Sequence, residues 1–387
     1  MARGSVRKRG SSWTVVLDVG PDPVTGRRRQ KSKGGYRTRQ AAEAALRELV
    51  ASVDAGQVVA RSTKTVGEYL DEWLEVVRPR LRPTSWNSYR QSVAHIKAKV
   101  GAVPLQSLAP LDVENLYKEL LATRGRQGRT LSPKTVRGIH VVLRKALADA
   151  ERLGLVVRNA AAAAKPPVPP KHEHTTWTAP QLARFLGSLD GERLSAAFML
   201  LATTGMRRGE ALGLRWSDVD LDVGRVSIVQ TITTVRDKPV ISPPKTARSR
   251  RLVSLDPETV AALRDHRRRQ NEERLRAGES WSAEGDFVFT NEVGEPVHPS
   301  ALSRLFVASV RRAGLPMIRL HDLRHTYATV ALGAGVHPKI VSERLGHATI
   351  VVTLDLYSHV TPAIDAEAAA LVASKIFDNR GTGGAKR

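Results

Sequence analysis

Two arginines, two histidines, a lysine and a tyrosine in the second half of the chain are candidates for catalysis. The segment TTGMRRGEALGLRW places Arg207 and Glu210 three residues apart at the start of a helix, so both side chains face the same way. The segment HDLRH gives a histidine and an arginine the same spacing, and a later Leu-Gly-His ends a helix that begins at Pro338. The candidate catalytic residues are Arg207, Lys245, His321, Arg324, His347 and Tyr357.

This set of side chains matches the needs of phosphoryl transfer. Two guanidinium groups neutralise the non-bridging oxygens of a phosphodiester and the charge that grows in its transition state. A phenol oxygen attacks phosphorus, and an ammonium group protonates the departing 5′ oxygen. Residues 321–357 contain no cluster of paired carboxylates, and the histidines lack a zinc-ligand pattern. The prediction is therefore transfer to a tyrosine without a metal ion or any other cofactor.

Some of these assignments have rivals within the sequence. Tyr327 is an alternative nucleophile, although its neighbours on the same helix are apolar, as in a protein core. Lys238 is an alternative to Lys245, because the register of a hairpin cannot be read from sequence. Glu210 is interpreted as support for a neighbouring cation and not as an acid or base.

Composition indicates a polyanionic partner. The 387 residues include 61 Lys and Arg against 38 Asp and Glu, a formal net charge of +23, and cations placed on phosphates release condensed counterions. With no cysteine, the chain has no disulfide, thiolate zinc site or cysteine nucleophile, which fits a reducing compartment. No apolar run of about 18 residues occurs and no signal peptide is evident. We therefore expect a soluble, cytoplasmic protein.

Residues 1–57 predict a small sheet with one helix. WTVVLDVG alternates apolar and polar residues as a half-buried strand does, RRRQKSK suits the returning strand, and helical spacing begins after Thr38. The strands are cationic, which favours contact with DNA over a merely solvated charged face. The predicted DNA-binding residues here are Arg27, Arg28, Arg29, Lys31 and Lys33.

Residues 65–158 predict an all-α domain of four amphipathic helices. Thr65 and Glu68 form a capping box, and the tryptophans and tyrosines lie on the apolar stripes, so we expect them in the core. The outward cations suit a bundle that grips the DNA backbone, and the predicted contacts are Arg90, Lys97, Lys99, Arg137 and Arg144. The Ala- and Pro-rich residues 159–175 read as a semi-rigid linker.

Residues 176–378 predict an α+β, mostly helical domain with a short three-stranded sheet. RVSIVQTITTV and PVISPPK flank a turn at residues 236–238 and predict a hairpin, to which RRLVSL adds a third strand. A helix at about 363–376 is apolar on one side and docks either on a neighbouring protomer or on its own domain. Residues 379–387 read as a disordered tail.

Three segments together resemble the tyrosine recombinase (lambda-type phage integrase) family: TTGMRRGEALGLRWSDV, HDLRHTYAT and LGHATIVVTLDLYSHV. The resemblance covers nearly the whole chain and implies an arm-site-binding domain, a helical core-binding domain and a catalytic domain. It implies that Arg207 and Arg324 clamp the phosphate, that Tyr357 is the nucleophile and that Lys245 is the general acid. His321 matches the histidine of the second box, and His347 stands where the family has His or Trp.

The resemblance implies a site-specific recombinase that cleaves and rejoins DNA through a 3′-phosphotyrosine intermediate and integrates a phage or other mobile element into a chromosome. Its implied partners are DNA attachment sites and three further copies of the chain in a DNA-bound tetramer, with an excisionase and a DNA-bending host protein as optional accessory factors. The resemblance also implies a nucleoid-associated protein, bacterial or phage-encoded. The alternatives are a non-catalytic DNA-binding regulator, which would not need Tyr357 or Lys245, and a monomeric type IB topoisomerase-like enzyme, against which the arm-like domain speaks.

Overall fold

The computed structural model describes residues 4–21, 28–54, 59, 61–123, 128, 130–170, 175–244, 250–282, 284–347, 349–351, 353–354, 372–373 and 376–377. Arg27, Lys245 and Tyr357 lie outside these residues, as do the tail at 379–387 and most of the helix predicted at 363–376. The chain divides into two compact units, Met1–Lys171 and His172–Arg387.

The first unit opens with an antiparallel sheet of three strands in the order β1 (Gly4–Arg9), β2 (Ser12–Pro21) and β3 (Arg28–Tyr36). Helix α1 (Arg39–Asp54) follows and packs against β1 and β2, and the side chains of Val15, Leu17 and Ala42 are buried. The sequence interpretation missed β1, because GSVRKR is polar and shows no apolar alternation. The β2, β3 and α1 elements were predicted correctly.

A helical domain completes the first unit, and its capping box is present as predicted. Thr65 Oγ1 accepts the Glu68 backbone N–H at 3.2 Å, while a Glu68 carboxylate oxygen accepts the Thr65 N–H at 2.8 Å. The helices are α2 (Val66–Val77), α3 (Pro83–Val100), α4 (Pro110–Ala122), α5 (Pro133–Arg152) and the short α6 (Ala160–Ala163).

Helix α6 shows that the domain ends later than predicted. Asn159 caps it by accepting the Ala162 N–H, and Ala160, Ala161 and Ala164 are buried in the helical core. Small alanine side chains pack closely against neighbouring helices without an amphipathic period, which is why the sequence suggested a linker from 159 onward. The boundary between the two units falls after Lys171, inside the predicted linker.

The aromatic side chains of this domain divide into two groups. Tyr69, Trp73 and Tyr117 are buried, as predicted. Trp86 and Tyr89 are only half-buried: the Arg78 and Arg90 guanidinium groups lie 4.9 and 5.7 Å from the Trp86 ring, and Lys145 lies 5.4 Å from the Tyr89 ring. Both rings still pack against the helical core, as predicted, and their outer faces lie beneath cations.

The cations predicted to touch DNA also differ among themselves. Arg90, Arg137 and Arg144 are exposed. Lys97 instead forms an ion pair with Asp71, and Lys99 pairs with Glu119 at 3.0 Å. In the N-terminal sheet, Lys33 is exposed.

The second unit is mostly helical. Its first helices are α7 (Ala179–Gly187), α8 (Ser195–Thr204) and α9 (Arg208–Leu212), followed beyond the strands by α10 (Pro257–Ala277), α11 (Pro299–Arg312), α12 (Asp322–Gly333) and α13 (Pro338–Leu345). Phe185 of α7, Phe198 of α8 and Phe306 of α11 meet in the core, with the Phe185 and Phe306 ring centroids 5.3 Å apart. No helix among the described residues is both long and apolar enough to cross a membrane.

The strands pair differently from the prediction. The expected long strand breaks after Ile228, so β5 (Arg225–Ile228) lies between the short β4 (Val219–Asp220) and β8 (Arg251–Ser254) in a three-stranded sheet. A separate two-stranded hairpin joins β6 (Thr231–Val235) to β7 (Lys238–Ser242). Its turn uses left-handed conformations at Arg236 and Asp237, with φ of 49° and 62°, as tight hairpins with right-twisted strands require. The hairpin and third strand were predicted; their division between two sheets was not.

Candidate active site

The C-terminal end of α13 holds three arginines from three other parts of the chain. The last carbonyls of a helix have no partner within the helix and carry partial negative charge, so guanidinium groups suit them. Here each of three consecutive carbonyls accepts one N–H: Arg251 donates to Arg344 at 2.7 Å, Arg324 to Leu345 at 2.7 Å and Arg207 to Gly346 at 3.2 Å.

Arg207 stands at the N-cap position of α9, where the backbone is extended. The carboxylate of Glu210, at the N3 position, accepts hydrogen bonds from the Arg207 backbone N–H at 3.0 Å and from the Arg207 guanidinium at 2.7 Å. The two side chains therefore face the same way, as predicted. The Arg207 side chain is 38% exposed while that of Glu210 is 4% exposed. The carboxylate is thus a buried support, and the guanidinium reaches the surface.

Arg251, the first residue of β8, was not among the predicted site residues. Its guanidinium donates to Glu210 at 2.9 and 3.4 Å, and its side chain is only 8% exposed. Burial opposes ionisation of Glu210, but the hydrogen bond and charge of Arg251, with those of Arg207, outweigh it, so the pKa of Glu210 lies below its usual value. The sequence signal was weak, because RSRR lies in a charged stretch where any arginine could face solvent.

Arg324, on α12, is buried with 4% exposure and donates to the Gly205 carbonyl at 2.8 Å and the Leu345 carbonyl at 2.7 Å. Burial and the Arg207 charge lower its pKa to about 9. Among the described residues, three guanidinium groups thus lie near the single Glu210 carboxylate, which forms ion pairs with Arg207 and Arg251 but not with Arg324. An anion placed beside them would offset an excess of buried positive charge, and a guanidinium has five N–H donors, enough for carbonyls on one side and a phosphate on the other.

The two predicted histidines flank the arginines. His321 immediately precedes α12. His347 follows the left-handed Gly346, and the His347 backbone N–H donates to the Ser342 carbonyl. Nδ1 of His347 lies 2.8 Å from the Thr353 hydroxyl. Burial, then the Arg324 and Arg207 charges, lower the pKa of His347 to about 4. Desolvation and Arg324 also lower the pKa of His321, although that side chain reaches solvent.

A cleft of about 1210 Å3 has Arg207, His321 and Gly346 in its wall. Arg208, also in the wall, was not predicted. It donates to the Ser303 hydroxyl at 2.6 Å, and burial lowers its pKa. The signal for it was the second arginine of MRRGE, but adjacent helix residues usually point apart, so the sequence alone gave no reason to choose it.

Four of the six predicted catalytic residues are therefore close to one another: Arg207, His321, Arg324 and His347. Lys245 and Tyr357 lie outside the described residues. The rival Tyr327 is half-buried, with Arg344 5.9 Å from its ring, and burial raises the pKa of its phenol. A raised phenol pKa disfavours the phenolate, so Tyr327 is poorly suited to attack phosphorus.

Comparison with known proteins agrees with this geometry. The sequence model of the phage integrase family matches residues 177–363, that of an arm DNA-binding domain matches 5–53, and that of the phage integrase N-terminal SAM-like domain matches 65–121. The chain is 30% identical over 370 residues to a tyrosine recombinase XerC-like protein of Caldanaerobacter subterraneus, covering 90% of this chain and 93% of that protein. It is 27% identical to an integrase of Streptomyces ambofaciens, covering 94% and 93%.

Solved structures share the fold. The Tn1549 transposon integrase bound to transposon right end DNA superposes with a TM-score of 0.66 at 19% identity, covering 81% of this chain and 99% of that chain. A lambda integrase tetramer bound to a Holliday junction gives 0.56 at 16% identity, covering 89% and 92%. The chain therefore belongs to the phage integrase family of tyrosine recombinases, and it is an enzyme that cleaves and rejoins DNA strands.

Proposed function

We propose that the chain is a site-specific integrase in which Arg207 and Arg324 bind the scissile phosphate and Tyr357 attacks it. One observation carries the proposal: three guanidinium groups donate to consecutive backbone carbonyls at the end of α13, and Arg207 among them lies in the wall of an open cleft. Such a cluster stabilises the extra negative charge of a pentavalent phosphorus transition state. No divalent ion is required for that role, so EDTA should leave cleavage intact.

In the proposed step, the Tyr357 phenol loses its proton to solvent and its oxygen forms a bond to phosphorus while the bond from phosphorus to the 5′ oxygen breaks. Lys245 gives its proton to the departing 5′ oxygen, and the product is a 3′-phosphotyrosine ester. The 5′ hydroxyl of another strand then attacks the ester, which rejoins DNA without a nucleotide cofactor. His321 and His347, whose pKa values are lowered, are neutral at pH 7 and hydrogen-bond to the phosphate without adding charge.

The proposed domain roles follow the order of the chain. Residues 1–57 bind arm sites, residues 65–158 bind the core site, and residues 176–378 cleave DNA. The helical domain extends to about residue 164, because α6 packs into its core. The proposed DNA contacts are Arg27, Arg28, Arg29, Lys31 and Lys33 in the sheet and Arg90, Arg137, Arg144, Lys97 and Lys99 in the helices. Lys97 and Lys99 are the weaker candidates, because each would have to leave a carboxylate.

Relatives named for mobile elements support the biological role. They include the ICEBs1 integrase of Bacillus subtilis and a putative prophage phiRv2 integrase of Mycobacterium tuberculosis. We infer that this chain integrates a phage or similar element.

The lambda integrase tetramer supports a tetramer on DNA as the working assembly. Control of direction by an excisionase and a DNA-bending host protein belongs to the same proposal, and recombination between complete attachment sites with and without each protein tests it.

A nicked suicide substrate carrying a core site tests the function. The intact chain should form a covalent protein–DNA adduct on a denaturing gel, with or without EDTA, and Tyr357→Phe should form none while binding the same DNA. Tyr327→Phe is the matched control and should keep the adduct. A non-catalytic regulator would give no adduct with the intact chain, and an adduct lost only in Tyr327→Phe would reassign the nucleophile.

A further inference from the structure

We propose that Arg251 is a positioning residue for the cleavage reaction: it holds Glu210 and the end of α13 so that the charge of Arg207 stays available to the scissile phosphate. The inference rests on the proposed function, since it names a residue that acts through the phosphate-binding arginines. Arg251 itself is buried behind them and is not placed to touch the substrate.

The contacts of Arg251 join three elements. From β8 it donates to Glu210 of α9 at 2.9 Å and to the Arg344 carbonyl of α13 at 2.7 Å. Helix α9 begins just after Arg207, and His347 follows α13. Arg251 therefore fixes the relative positions of the two elements that carry these side chains.

Close packing supports the same conclusion independently. Gly346 adopts a left-handed conformation with φ of 65°, and a Cβ added there would lie 2.9 Å from Nη1 of Arg251. The turn that presents the Gly346 carbonyl to Arg207 thus lies directly against the Arg251 guanidinium. A side chain of another shape at position 251 would leave this turn without its support.

Charge explains why the contact matters for catalysis. The shortest side-chain contacts of the two arginines reach different oxygens of Glu210, Arg207 at 2.7 Å and Arg251 at 2.9 Å, and Arg251 makes a longer contact of 3.4 Å to the oxygen that Arg207 uses. If Arg251 were absent, the buried carboxylate would have Arg207 as its remaining described ion-pair partner and would hold it more firmly. Arg207 would then be drawn toward Glu210 and away from the phosphate, and the site would lose one positive charge.

The test is a double-mutant cycle on single-turnover cleavage of the suicide substrate at saturating protein. Arg251→Lys keeps the charge but loses the paired geometry, and Arg251→Met loses both. In the intact background we expect roughly 10²-fold slower cleavage for Arg251→Met, the scale of a small misplacement of a catalytic group, and a smaller loss for Arg251→Lys. In an Arg207→Ala background each change should alter the rate less than about threefold, because its target is gone.

A matched control separates positioning from folding. Arg193 also donates to both oxygens of a carboxylate, Glu273, at 2.7 and 2.5 Å, and to the Thr290 carbonyl at 2.6 Å, away from the cleft. Arg193→Lys should lower the melting temperature about as much as Arg251→Lys while leaving cleavage per folded molecule unchanged. If Arg251→Met does not fold, the cycle is completed with Arg251→Lys.

The outcomes distinguish this inference from the function on which it rests. Without any adduct from the intact chain, the proposed function fails. If the intact chain forms the adduct but the Arg251 substitutions slow cleavage by the same factor in both backgrounds, Arg251 is structural support only and the inference is overturned.

Discussion

The backbone carbonyl of Gly205 accepts a 2.8 Å hydrogen bond from Nη1 of Arg324, at the residue where α8 ends. Gly205 has φ of 64°, and a Cβ there would lie 2.4 Å from Leu345 and 2.6 Å from the Tyr327 ring. The buried arginine is thus held by a helix end that only glycine fits. The sequence TTGMRR contains this arrangement: the residue that terminates α8 also accepts a hydrogen bond from Arg324 of α12, for which phosphate binding is proposed.

Gly205→Ala should therefore lower the free energy of unfolding by more than the strain of a left-handed alanine alone, because the added Cβ also meets Leu345 and Tyr327. Gly335 is the matched control, because its φ is 80° and nothing lies within 4 Å of an added Cβ. Urea unfolding should show a loss of about 1 kcal/mol for Gly335→Ala, the cost of a left-handed residue, and roughly 1–3 kcal/mol more for Gly205→Ala from overpacking. Equal losses would mean that Leu345 and Tyr327 move aside without strain.

Arg208 should bind a DNA phosphate through its position in the cleft wall. In a Tyr357→Phe background, which prevents cleavage, Arg208→Gln should reduce the slope of log affinity against log salt concentration by about 0.9, the value for one lost phosphate contact. Arg264→Gln provides the comparison, since Arg264 pairs with Asp222 and is not in the wall of this cleft. An unchanged slope for Arg208→Gln would place the DNA backbone elsewhere.

The lowered pKa of His347 predicts how stability depends on pH. The histidine has a pKa near 6.5 in the unfolded chain and about 4 in the folded one, so acid protonates the unfolded chain first. This contribution is fully present above pH 6.5 and is lost as pH falls toward 4. Without DNA, His347→Gln should therefore lose less unfolding free energy than the intact chain between pH 7.5 and pH 5. An identical pH dependence in both proteins would show that His347 is not desolvated in the folded state.

The sequence predicted those parts of the fold that depend on local patterns. Helix periodicity, the Thr65 capping box and the glycine after Leu345 are local signals, and each was confirmed. Arg324 and Arg207 were chosen as candidates because the HDLRH and MRRGE motifs each have their own spacing, and the structure brings the two side chains to adjacent carbonyls. The predictions that were wrong concern contacts between residues far apart in the sequence. The polyalanine segment Ala160–Ala163 packs into a core that its own sequence does not show.

Arg251 illustrates the same limit within the site. Its role depends on meeting Glu210 and the Arg344 carbonyl, 41 and 93 residues away in the chain. Nothing in RSRR distinguishes the buried arginine from its neighbours. The division of the strands between two sheets likewise depends on β5 pairing with β8 instead of continuing into β6, a choice made by tertiary contacts.

Lys245 should act as a proton donor and not only as a positive charge. An alkoxide leaves poorly, so a positioned acid contributes roughly 10²–10⁴-fold to cleavage. Sulfur in place of the bridging 5′ oxygen departs without a proton. Lys245→Ala should thus cleave ordinary DNA slowly and the sulfur-bridged substrate at nearly the intact rate, while Arg207→Ala should remain slow on both. If Lys245→Ala is equally slow on the sulfur-bridged substrate, Lys238 becomes the candidate acid.

The most direct measurement locates the covalent bond between protein and DNA. The trapped adduct is digested with nuclease and trypsin, and the peptide that retains a phosphonucleotide is identified by mass spectrometry. Cleavage after Arg344 and Lys375 gives a peptide whose only tyrosine is Tyr357, whereas Tyr327 lies in the peptide between Arg324 and Lys339. The proposed mechanism predicts the added mass on Tyr357, through its phenol oxygen. The same mass on Tyr327, or on a serine or histidine of either peptide, would contradict it.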